Sequence, residues 1–383
     1  MIFASGNGFL ASASMGGGKM NISGTGRCLL WGIALIWVWA CGPSALAQAV
    51  VPESGGFPIP YYPPPSKMEL CGEPVPIHLE DVRERFDREF TIVVYSHAQV
   101  FLWLKRKERY FPWLEKQLAR SGLPDDLKYV AVAESDLLAL AASPAGAVGP
   151  WQFIASTGSR YGLSQNRQVD ERHDFERSTE SAFAYLKELR DTFQNWTLAI
   201  AAYNCGENRV ISEMRKQQVN DYYSLKLPLE TERYIFRILA IKEVLRNPEQ
   251  YGYSLPRGAG YPVQNLDRVS MNLPNALPLL MVANAAGVSF REFKRLNPSY
   301  ISDEIPAGDH VFKVPSGRGK DFQSRLDAFK SSYTPTFSYH TVSRGETLFG
   351  IASRYNVSPE DVRKWNNLTD TKVKIGQNLK IMK

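Results

Sequence analysis

The chain has 383 residues, of which 44% are apolar and 12% aromatic, and a formal net charge of +6. This length suffices for two or three domains, and the apolar content excludes a largely disordered chain. The mild positive charge suits an anionic polymer or surface. Because no run of lysine and arginine is interleaved with aromatic residues, we expect no nucleic-acid partner.

An apolar stretch over residues 28–40 follows Arg27 and precedes a small-residue Ala-Leu-Ala site at 45–47. The stretch is too short for a comfortable membrane span, and this order of charge, apolar core and Ala-x-Ala is that of a secretory signal peptide. We therefore predict a cleaved signal peptide over residues 1–47. Met20 is an alternative start, which would leave a signal of ordinary length.

Two other fates of the N-terminus stay open. Cys41 could accept a lipid, although Trp39 is bulkier than a lipoprotein box normally admits. An uncleaved anchor is the other alternative. Either would associate the chain with a membrane through its N-terminus.

Two of the four cysteines, Cys28 and Cys41, fall in the predicted signal peptide, which leaves Cys71 and Cys205. An exported pair in an oxidising compartment favours a disulfide between them. Two unpaired buried thiols are the alternative.

A proline-rich linker is predicted over residues 48–77, with extended polyproline II structure at 57–65. Helical periodicity dominates residues 78–255, where no segment alternates like a strand, so we expect a mainly α domain. One helix is predicted over 129–140. Further helices are predicted over 179–192, 196–203, 209–217 and 231–245.

After residue 260 the pattern changes to short helices between short strands. Two stretches share a Val-Ser pair followed by a helix that ends in asparagine, at Asn297 and at Asn366. We interpret them as an internal repeat whose first copy is degenerate. The predicted boundaries are a first module over 265–316, a linker over 317–337 and a second module over 338–383.

Between Lys128 and Arg160 the chain carries only two charged residues, Glu134 and Asp136. Burial in an apolar helix raises the pKa of a carboxyl group, and an acid that is protonated near neutral pH can donate a proton. Residues two apart on a helix point to opposite faces, so Asp136 would not assist Glu134. The pattern indicates one acid working alone.

Cleavage of a glycosidic bond usually needs two carboxyl groups. A lone acid suffices where the attacking group belongs to the substrate, as with the acetamido oxygen and 6-hydroxyl of N-acetylmuramic acid, because an intramolecular nucleophile has a high effective concentration. The loop over 143–153 is rich in small residues and is typical of a groove for a sugar. The alternative for Glu134 is a structural acid paired with a distant arginine or lysine.

Four short motifs follow one another over about a hundred residues, and together they are far more specific than any one of them. They are Glu134-Ser135, Ser143-Pro-x-Gly146-Ala147-x-Gly149-x-x-Gln152, Ala202-Tyr203-Asn204-x-Gly206 and Glu230-Thr231-x-x-Tyr234. In this order they resemble the soluble lytic transglycosylase family, over roughly residues 78–250. The resemblance implies a mainly α, goose-lysozyme-like fold.

The resemblance also implies site residues, with Glu134 as the catalytic acid and base. Pro150-Trp151 departs from the usual family pattern, which should alter sugar packing rather than chemistry. Cys205 is a second departure, since it replaces the usual small residue after the asparagine. Judged by type alone, Trp151 and Phe153 are as easily core residues as sugar platforms. The residues implied to bind substrate or to brace Glu134 are Ser143, Gln152, Phe153, Ala202, Tyr203, Asn204, Glu230 and Tyr234.

The second module resembles a LysM domain at residues 339–352, 365–368 and 375–379. This implies a small α+β (βααβ) fold that binds glycans containing N-acetylglucosamine and so raises the local substrate concentration. A domain that only packs against its neighbour is the alternative, especially for the first module. The implied glycan-binding residues are Gly345, Glu346, Thr347, Asn366, Asn367 and Leu368.

The sequence thus predicts a monomeric, exported peptidoglycan lytic transglycosylase of the periplasm or cell envelope, with glycan strands as its partner. The five histidines and two remaining cysteines show no ligand spacing, so we expect no metal and no cofactor. One alternative is a muramidase that uses water, for which Asp170, Glu171 and Asp174 are the nearby candidates for a second carboxylate. The other is a non-catalytic wall-binding protein.

Overall fold

The computed structural model describes residues 59–332 and 337–382. The predicted signal peptide, with Cys28 and Cys41, lies outside the described residues. Contacts divide the chain into two units, residues 1–65 and 66–383. The described part of the first unit, residues 59–65, contains no helix or strand.

A short hairpin opens the second unit, and a set of helices follows it, so the mainly α character predicted for residues 78–255 is observed. Strands β1 (Met68–Leu70) and β2 (Glu73–Val75) form the antiparallel hairpin. The helices are α1 (Glu80–Val94), α2 (His97–Ser121), α3 (Lys128–Ser135), α4 (Ala155–Arg160), α5 (Phe175–Phe193), α6 (Trp196–Cys205), α7 (Glu207–Gln217) and α8 (Leu229–Arg246).

Helix α8 lies at the centre of this domain. Helices α1, α3 and α6 pack around it. A helix that is apolar on most of its sides belongs in a core, and Ile235, Phe236, Ile238 and Leu239 are all fully buried. This position brings Tyr234 of α8 against α3, the helix that carries Glu134.

Helix α3 is shorter than its sequence predicts. Asp136 and Leu137 adopt left-handed backbone conformations, with φ of 57° and 62°, and the helix ends at Ser135. The predicted helix over 129–140 is therefore wrong beyond Ser135. Asp136 still stays apart from Glu134, because Trp103 Nε1 donates a hydrogen bond to its Oδ1 at 2.7 Å.

The first module (residues 266–332) is built on an antiparallel pair of strands with two helices between them. Strands β3 (Leu266–Leu273) and β6 (Gly308–Pro315) pair in the register Leu266 with Pro315 to Leu273 with Gly308. The other elements are β4 (Leu277–Pro278), α9 (Leu279–Ala286), α10 (Phe290–Leu296), β5 (Glu304–Ile305) and α11 (Phe322–Ser332).

The second module (residues 337–382) has the same order of strand, two helices and strand. Its elements are β7 (Phe337–Thr341), α12 (Leu348–Arg354), α13 (Pro359–Trp365) and β8 (Asn378–Met382). Strands β7 and β8 are antiparallel, as the βααβ prediction requires.

One asparagine holds each module together in the same way. Asn297 donates from Nδ2 to Lys313 O at 2.8 Å and accepts from Lys313 N at 2.8 Å. Asn366 donates to Lys380 O at 2.8 Å and accepts from Lys380 N at 2.6 Å. Each amide also donates to the carbonyl four residues earlier in its helix. The two stretches matched by sequence therefore have equivalent geometry.

Candidate active site

Glu134 lies in the last turn of α3 with its side chain partly buried. Its Oε1 accepts a hydrogen bond from the phenol of Tyr234. Burial raises the pKa of Glu134 to about 7, against the lowering effects of the Tyr234 hydrogen bond and the charge of Arg237. Among the described residues Glu134 bonds a phenol, not an arginine or lysine, which argues against a structural ion pair.

Two tyrosines stand beside this acid. Tyr234 is 1% exposed, and Tyr203 Oη donates to Trp151 O at 2.8 Å. Burial, together with the nearby charge of Glu134, raises the pKa of each phenol well above its ordinary value. Both therefore remain protonated hydrogen-bond donors at physiological pH.

Ser135 connects α3 to the loop over residues 143–153. Its buried hydroxyl donates to Pro150 O at 2.7 Å, and it also lies 3.3 Å from Ala131 O. In the Glu134-Ser135 motif, the acid is thus followed directly by a residue that fixes the position of the neighbouring loop.

The loop residues Ser143 and Gln152 bond within the loop itself. Ser143 Oγ accepts from Ala147 N at 3.1 Å, and Gln152 Nε2 donates to Gly149 O at 2.9 Å. Gly146 and Gly149 have φ of 78° and 85°, a region that favours glycine. Both polar side chains therefore shape the loop, whatever they contribute to a ligand.

The structure corrects the substrate-binding role expected for Phe153 and Ala202. Phe153 is 2% exposed and packs edge-to-face on Tyr203, and Ala202 is fully buried. Side chains so enclosed cannot contact a ligand in a groove. Trp151 is also fully buried and donates from Nε1 to Thr179. These residues support the site from within the core.

Asn204 and Glu230 lie on α6 and α8 and bond to neighbouring side chains. Thr231 Oγ1 donates to Asn204 Oδ1 at 2.8 Å. Arg237 pairs with Glu230 at 2.8 Å, and although burial acts in the opposite direction, this contact holds the pKa of Glu230 below its ordinary value. Glu230 is therefore an ionised carboxylate.

The three carboxylates considered for a muramidase all have partners. Asp170 receives two hydrogen bonds from the Arg172 guanidinium, and Asp174 pairs with Lys313 at 2.8 Å. These contacts overcome burial and hold the pKa of both aspartates below its ordinary value. Glu171 pairs with an arginine of α5 and accepts from a backbone N–H. Each of these carboxylates therefore makes structural contacts within the protein.

In the second module, several implied glycan-binding side chains bond internally. Thr347 Oγ1 accepts from Gly350 N and caps α12. Glu346 bonds His340 Nε2 at 2.8 Å and Arg354 at 2.7 Å.

The remaining residues of this set shape the backbone or fill the module core. Gly345 and Asn367 have left-handed φ of 86° and 51°, and Leu368 packs against the module core. The side-chain amide of Asn366 makes the hydrogen bonds to β8 that are described above. Their contact with a glycan remains a prediction.

The predicted disulfide between Cys71 and Cys205 is wrong, since both are free cysteines in the structure. Cys71 N donates to Asp126, which also binds Lys242 near the end of α8. The Cys205 thiol lies at Thr231 near the start of the same helix. These two helix positions are about 16 Å apart, whereas a disulfide needs Cα atoms within about 7 Å.

Sequence reasoning missed Arg172 altogether. Its guanidinium is buried among carbonyl and carboxylate oxygens beside the loop over residues 143–153. One signal was available, because three acids lie within five residues of the chain around this single arginine, a composition that indicates local pairing.

Within residues 59–332 and 337–382, no cluster of three or more histidine, cysteine, aspartate or glutamate side chains could hold a metal ion. Nor does any helix in that part of the chain have the length and apolar character needed to cross a membrane.

Comparison with known protein families identifies the domains of the chain. Residues 111–225 match the Transglycosylase SLT domain. The chain contains a transglycosylase SLT domain. Residues 340–381 match the LysM domain, and residues 266–331 match the family described as Lytic transglycosylase MltD, LysM-like domain. With the helical architecture, these matches confirm a mainly α SLT domain followed by small α+β modules.

Curated relatives carry related names. Membrane-bound lytic murein transglycosylase D of Escherichia coli K12 is 34% identical over 292 residues, which cover 72% of this chain and 64% of that protein. The chain thus spans just under two thirds of that relative. An autolysin of Enterococcus faecalis is 28% identical over 27% of this chain and 14% of its own length.

A solved structure, the 70 kDa soluble lytic transglycosylase of Escherichia coli, aligns with a TM-score of 0.34 at 22% identity. The alignment covers 44% of this chain and 30% of that one.

Proposed function

We propose that the SLT domain is a peptidoglycan lytic transglycosylase that cleaves the β-1,4 bond from N-acetylmuramic acid to N-acetylglucosamine without water. The observation that carries this proposal is the lone acid Glu134, whose pKa near 7 leaves a large protonated fraction at neutral pH. Asp170, Glu171 and Asp174 each form an ion pair within the protein, which supports a mechanism with no second carboxylate. The name of the 34% identical relative points the same way.

In the first step the protonated Glu134 gives its proton to the glycosidic oxygen. The bond from C1 of N-acetylmuramic acid to that oxygen breaks, and N-acetylglucosamine leaves with a free hydroxyl. The acetamido oxygen of the same sugar stabilises the positive charge at C1. The hydrogen bond from Tyr234 stabilises the carboxylate that remains.

In the second step the 6-hydroxyl of the same sugar attacks C1. Glu134, now ionised, takes the hydroxyl proton and returns to its starting state. The products are a 1,6-anhydro-N-acetylmuramic acid end and a new N-acetylglucosamine end, with no water consumed. One side chain thus acts as acid and then as base.

The sugar contacts are proposed for the polar groups around Glu134. Tyr203, Asn204 and Gln152 would bind the acetamido group and ring hydroxyls, while Ser143 and Glu230 would border the groove. Thr231 holds Asn204 Oδ1, which leaves the two N–H donors of that amide to face a sugar. In the LysM module, the proposed glycan contacts are Gly345, Glu346, Thr347, Asn366, Asn367 and Leu368.

We further propose that the protein is exported and acts as a monomer on glycan strands in the periplasm or cell envelope. The signal-like sequence at 1–47 supports export, and membrane attachment through the N-terminus fits the name of the membrane-bound relative. The proposed catalytic domain spans 78–255. The sequence predicted that the first module ends at 316, but Phe322 and Leu326 of α11 belong to its hydrophobic core, so the proposed first module spans 265–332. The proposed second module spans 338–383.

Mass spectrometry of digested sacculi tests the reaction. Muropeptides that carry 1,6-anhydro ends, one water lighter than reducing ends, are expected from the parent protein. Reducing ends alone would establish a muramidase instead. If the parent protein bound sacculi but released no muropeptides, a non-catalytic wall-binding function would replace the proposed one.

The role of Glu134 is tested with a matched pair of variants. Glu134→Gln should lower the rate by roughly 10²–10⁴-fold, because it removes the proton donor and keeps the side-chain size. Glu213→Gln is the control, since Glu213 lies on α7 and pairs with Lys216 there. Equal activity of Glu134→Gln and the parent would reject Glu134 as the acid.

A further inference from the structure

The Arg172 side chain bonds two points of the loop over residues 143–153. It is 8% exposed, and Nη1 donates to Gly146 O at 3.2 Å and to Phe153 O at 3.0 Å. Its Nε and Nη2 donate to the two carboxylate oxygens of Asp170 at 2.9 and 2.7 Å. The planar guanidinium therefore connects the loop over 143–153 to one buried carboxylate.

The backbone next to this side chain also supports the loop. A Cβ atom on Gly149 would lie 1.9 Å from Arg172 O, so only glycine permits the close approach found here. His173 Nδ1 lies 2.8 Å from Ala139 O, in the segment between α3 and the loop. The loop is thus packed directly on residues 172–173.

The first module holds the same segment from the other side. Asp170 N donates to Ser299 O at 2.8 Å, and Ile301 N donates to Gln168 O at 3.0 Å. Val169 packs against the hydrophobic core of the module. Residues 168–170 thus form part of the module's own packing, two residues before Arg172.

An ion pair adds a second connection. Lys313 of β6 lies 2.8 Å from Asp174 and 3.2 Å from Glu176, and its side chain is 13% exposed. Asp174 also caps α5 by accepting from two backbone N–H groups. The segment over 168–174 is therefore held at both of its ends by the first module.

We propose that Arg172 is a positioning residue for the loop over 143–153, and that the first module keeps Arg172 in place by clamping residues 168–174. The module thereby contributes to turnover in the active site and not to glycan binding alone. This inference rests on the proposed function. Because Ser135 joins the loop to the catalytic helix, a displaced loop also changes the surroundings of Glu134.

Two variants and a control test this proposal in the full chain. Arg172→Lys keeps a positive charge beside Asp170 but cannot bridge the carboxylate and both carbonyls. Lys313→Met removes the remote ion pair at similar side-chain length. Lys330→Met is the matched control, since Lys330 pairs with Asp327 within α11.

The measurements are kcat and KM on soluble uncrosslinked glycan strands, with binding to sacculi alongside. Displacement by about 1 Å can cost on the order of 100-fold in turnover, so we expect Arg172→Lys to lower kcat by roughly 10–100-fold. Lys313→Met should lower kcat by about 3–10-fold, because the backbone contacts remain. Because Gln152 of this loop is a proposed sugar contact, KM should rise, but by a smaller factor than the one by which kcat falls. Sacculus binding, and every value for the Lys330→Met control, should match the parent.

The pH profile separates positioning from a general loss of folded protein. A displaced loop admits water to Glu134, so the alkaline limb of kcat should move to lower pH in both variants. Lost folded protein would lower the amplitude and leave the limb in place. A limb that does not move would overturn the positioning role.

Other outcomes are equally decisive. A parent-like kcat in Arg172→Lys, or a defect confined to KM, would overturn the proposal for Arg172. Identical results for Lys313→Met and Lys330→Met would overturn the part assigned to the module, and this comparison holds even if Arg172→Lys does not fold. If the parent makes no anhydro product, it is the proposed function that fails.

Discussion

The phenol of Tyr234 donates a hydrogen bond to Glu134 across one hundred residues of sequence. Burial favours the protonated form of Glu134, whereas this hydrogen bond favours the ionised form. The balance leaves the pKa of Glu134 at about 7. An acid that must both give and take a proton benefits from a pKa close to the working pH.

Removal of the phenol should shift the pH dependence of activity. In Tyr234→Phe the ionised Glu134 loses its donor, so its pKa rises and the alkaline limb of the kcat profile moves up by about one pH unit. Tyr253→Phe is the control, because it also removes a buried hydroxyl, one that donates to Val94 O. An unchanged limb, or one at lower pH, would contradict the assigned role of Tyr234.

The same acid should make stability depend on pH. In the unfolded chain Glu134 ionises near pH 4.5, but in the folded protein only near pH 7. The folded state therefore holds the extra proton between these values, and the contribution of Glu134 to the free energy of unfolding falls as pH rises from 4.5 to 7.

Glu134→Gln abolishes this dependence. Its stability relative to the parent should rise between pH 4.5 and 7 and stay constant above, as measured by urea unfolding at several pH values. A stability difference that is the same at pH 4 and pH 8 would show that burial does not raise the pKa of Glu134.

The equivalent asparagines should be structural in both modules. Asn297→Ala and Asn366→Ala each leave partly buried backbone groups unpaired, which should cost about 1–3 kcal/mol of module stability. Asn284→Ala, at an exposed position of α9, should change stability by less than about 0.5 kcal/mol. Calorimetry of the full chain measures all three. A stable Asn366→Ala that has lost only glycan affinity would assign that residue to the ligand instead.

The two cysteines should react independently. Under non-reducing, denaturing conditions, alkylation followed by peptide mass spectrometry should find Cys71 and Cys205 both modified. The structure places them at different ends of α8, so exported protein should give the same result. A linked pair of peptides would show that the packing of the hairpin β1–β2 differs from that described.

Much of the fold follows from local pattern. Helical periodicity predicted the mainly α domain, and the repeated Val-Ser and asparagine positions predicted two related modules. The sequence placed the end of α3 too late because the apolar run continues past Ser135. The left-handed turn at Asp136 and Leu137 also contains no glycine, the residue that usually indicates such a turn. Element type is encoded locally, but this boundary depends on what Asp136 contacts.

The candidate site also has some features that the sequence predicted and others that it did not. Glu134 stands out by itself as a charge within an apolar run, and this sufficed to predict a raised pKa. The orientation of Phe153 and Ala202 was not accessible, because an apolar residue next to a motif can face either the groove or the core. Residue type alone does not distinguish the two.

The amino-acid order by itself identified Glu134 as the candidate acid and determined the succession of motifs and the presence of two small modules, since these depend on residues close together in the chain. Only the tertiary structure decided that Tyr234 meets Glu134, that Arg172 bonds the loop to Asp170 in a segment packed on the first module, and that the two cysteines lie apart. Hydrogen bonds and disulfides act over a few ångströms in space, and helix packing sets those distances between residues far apart in sequence.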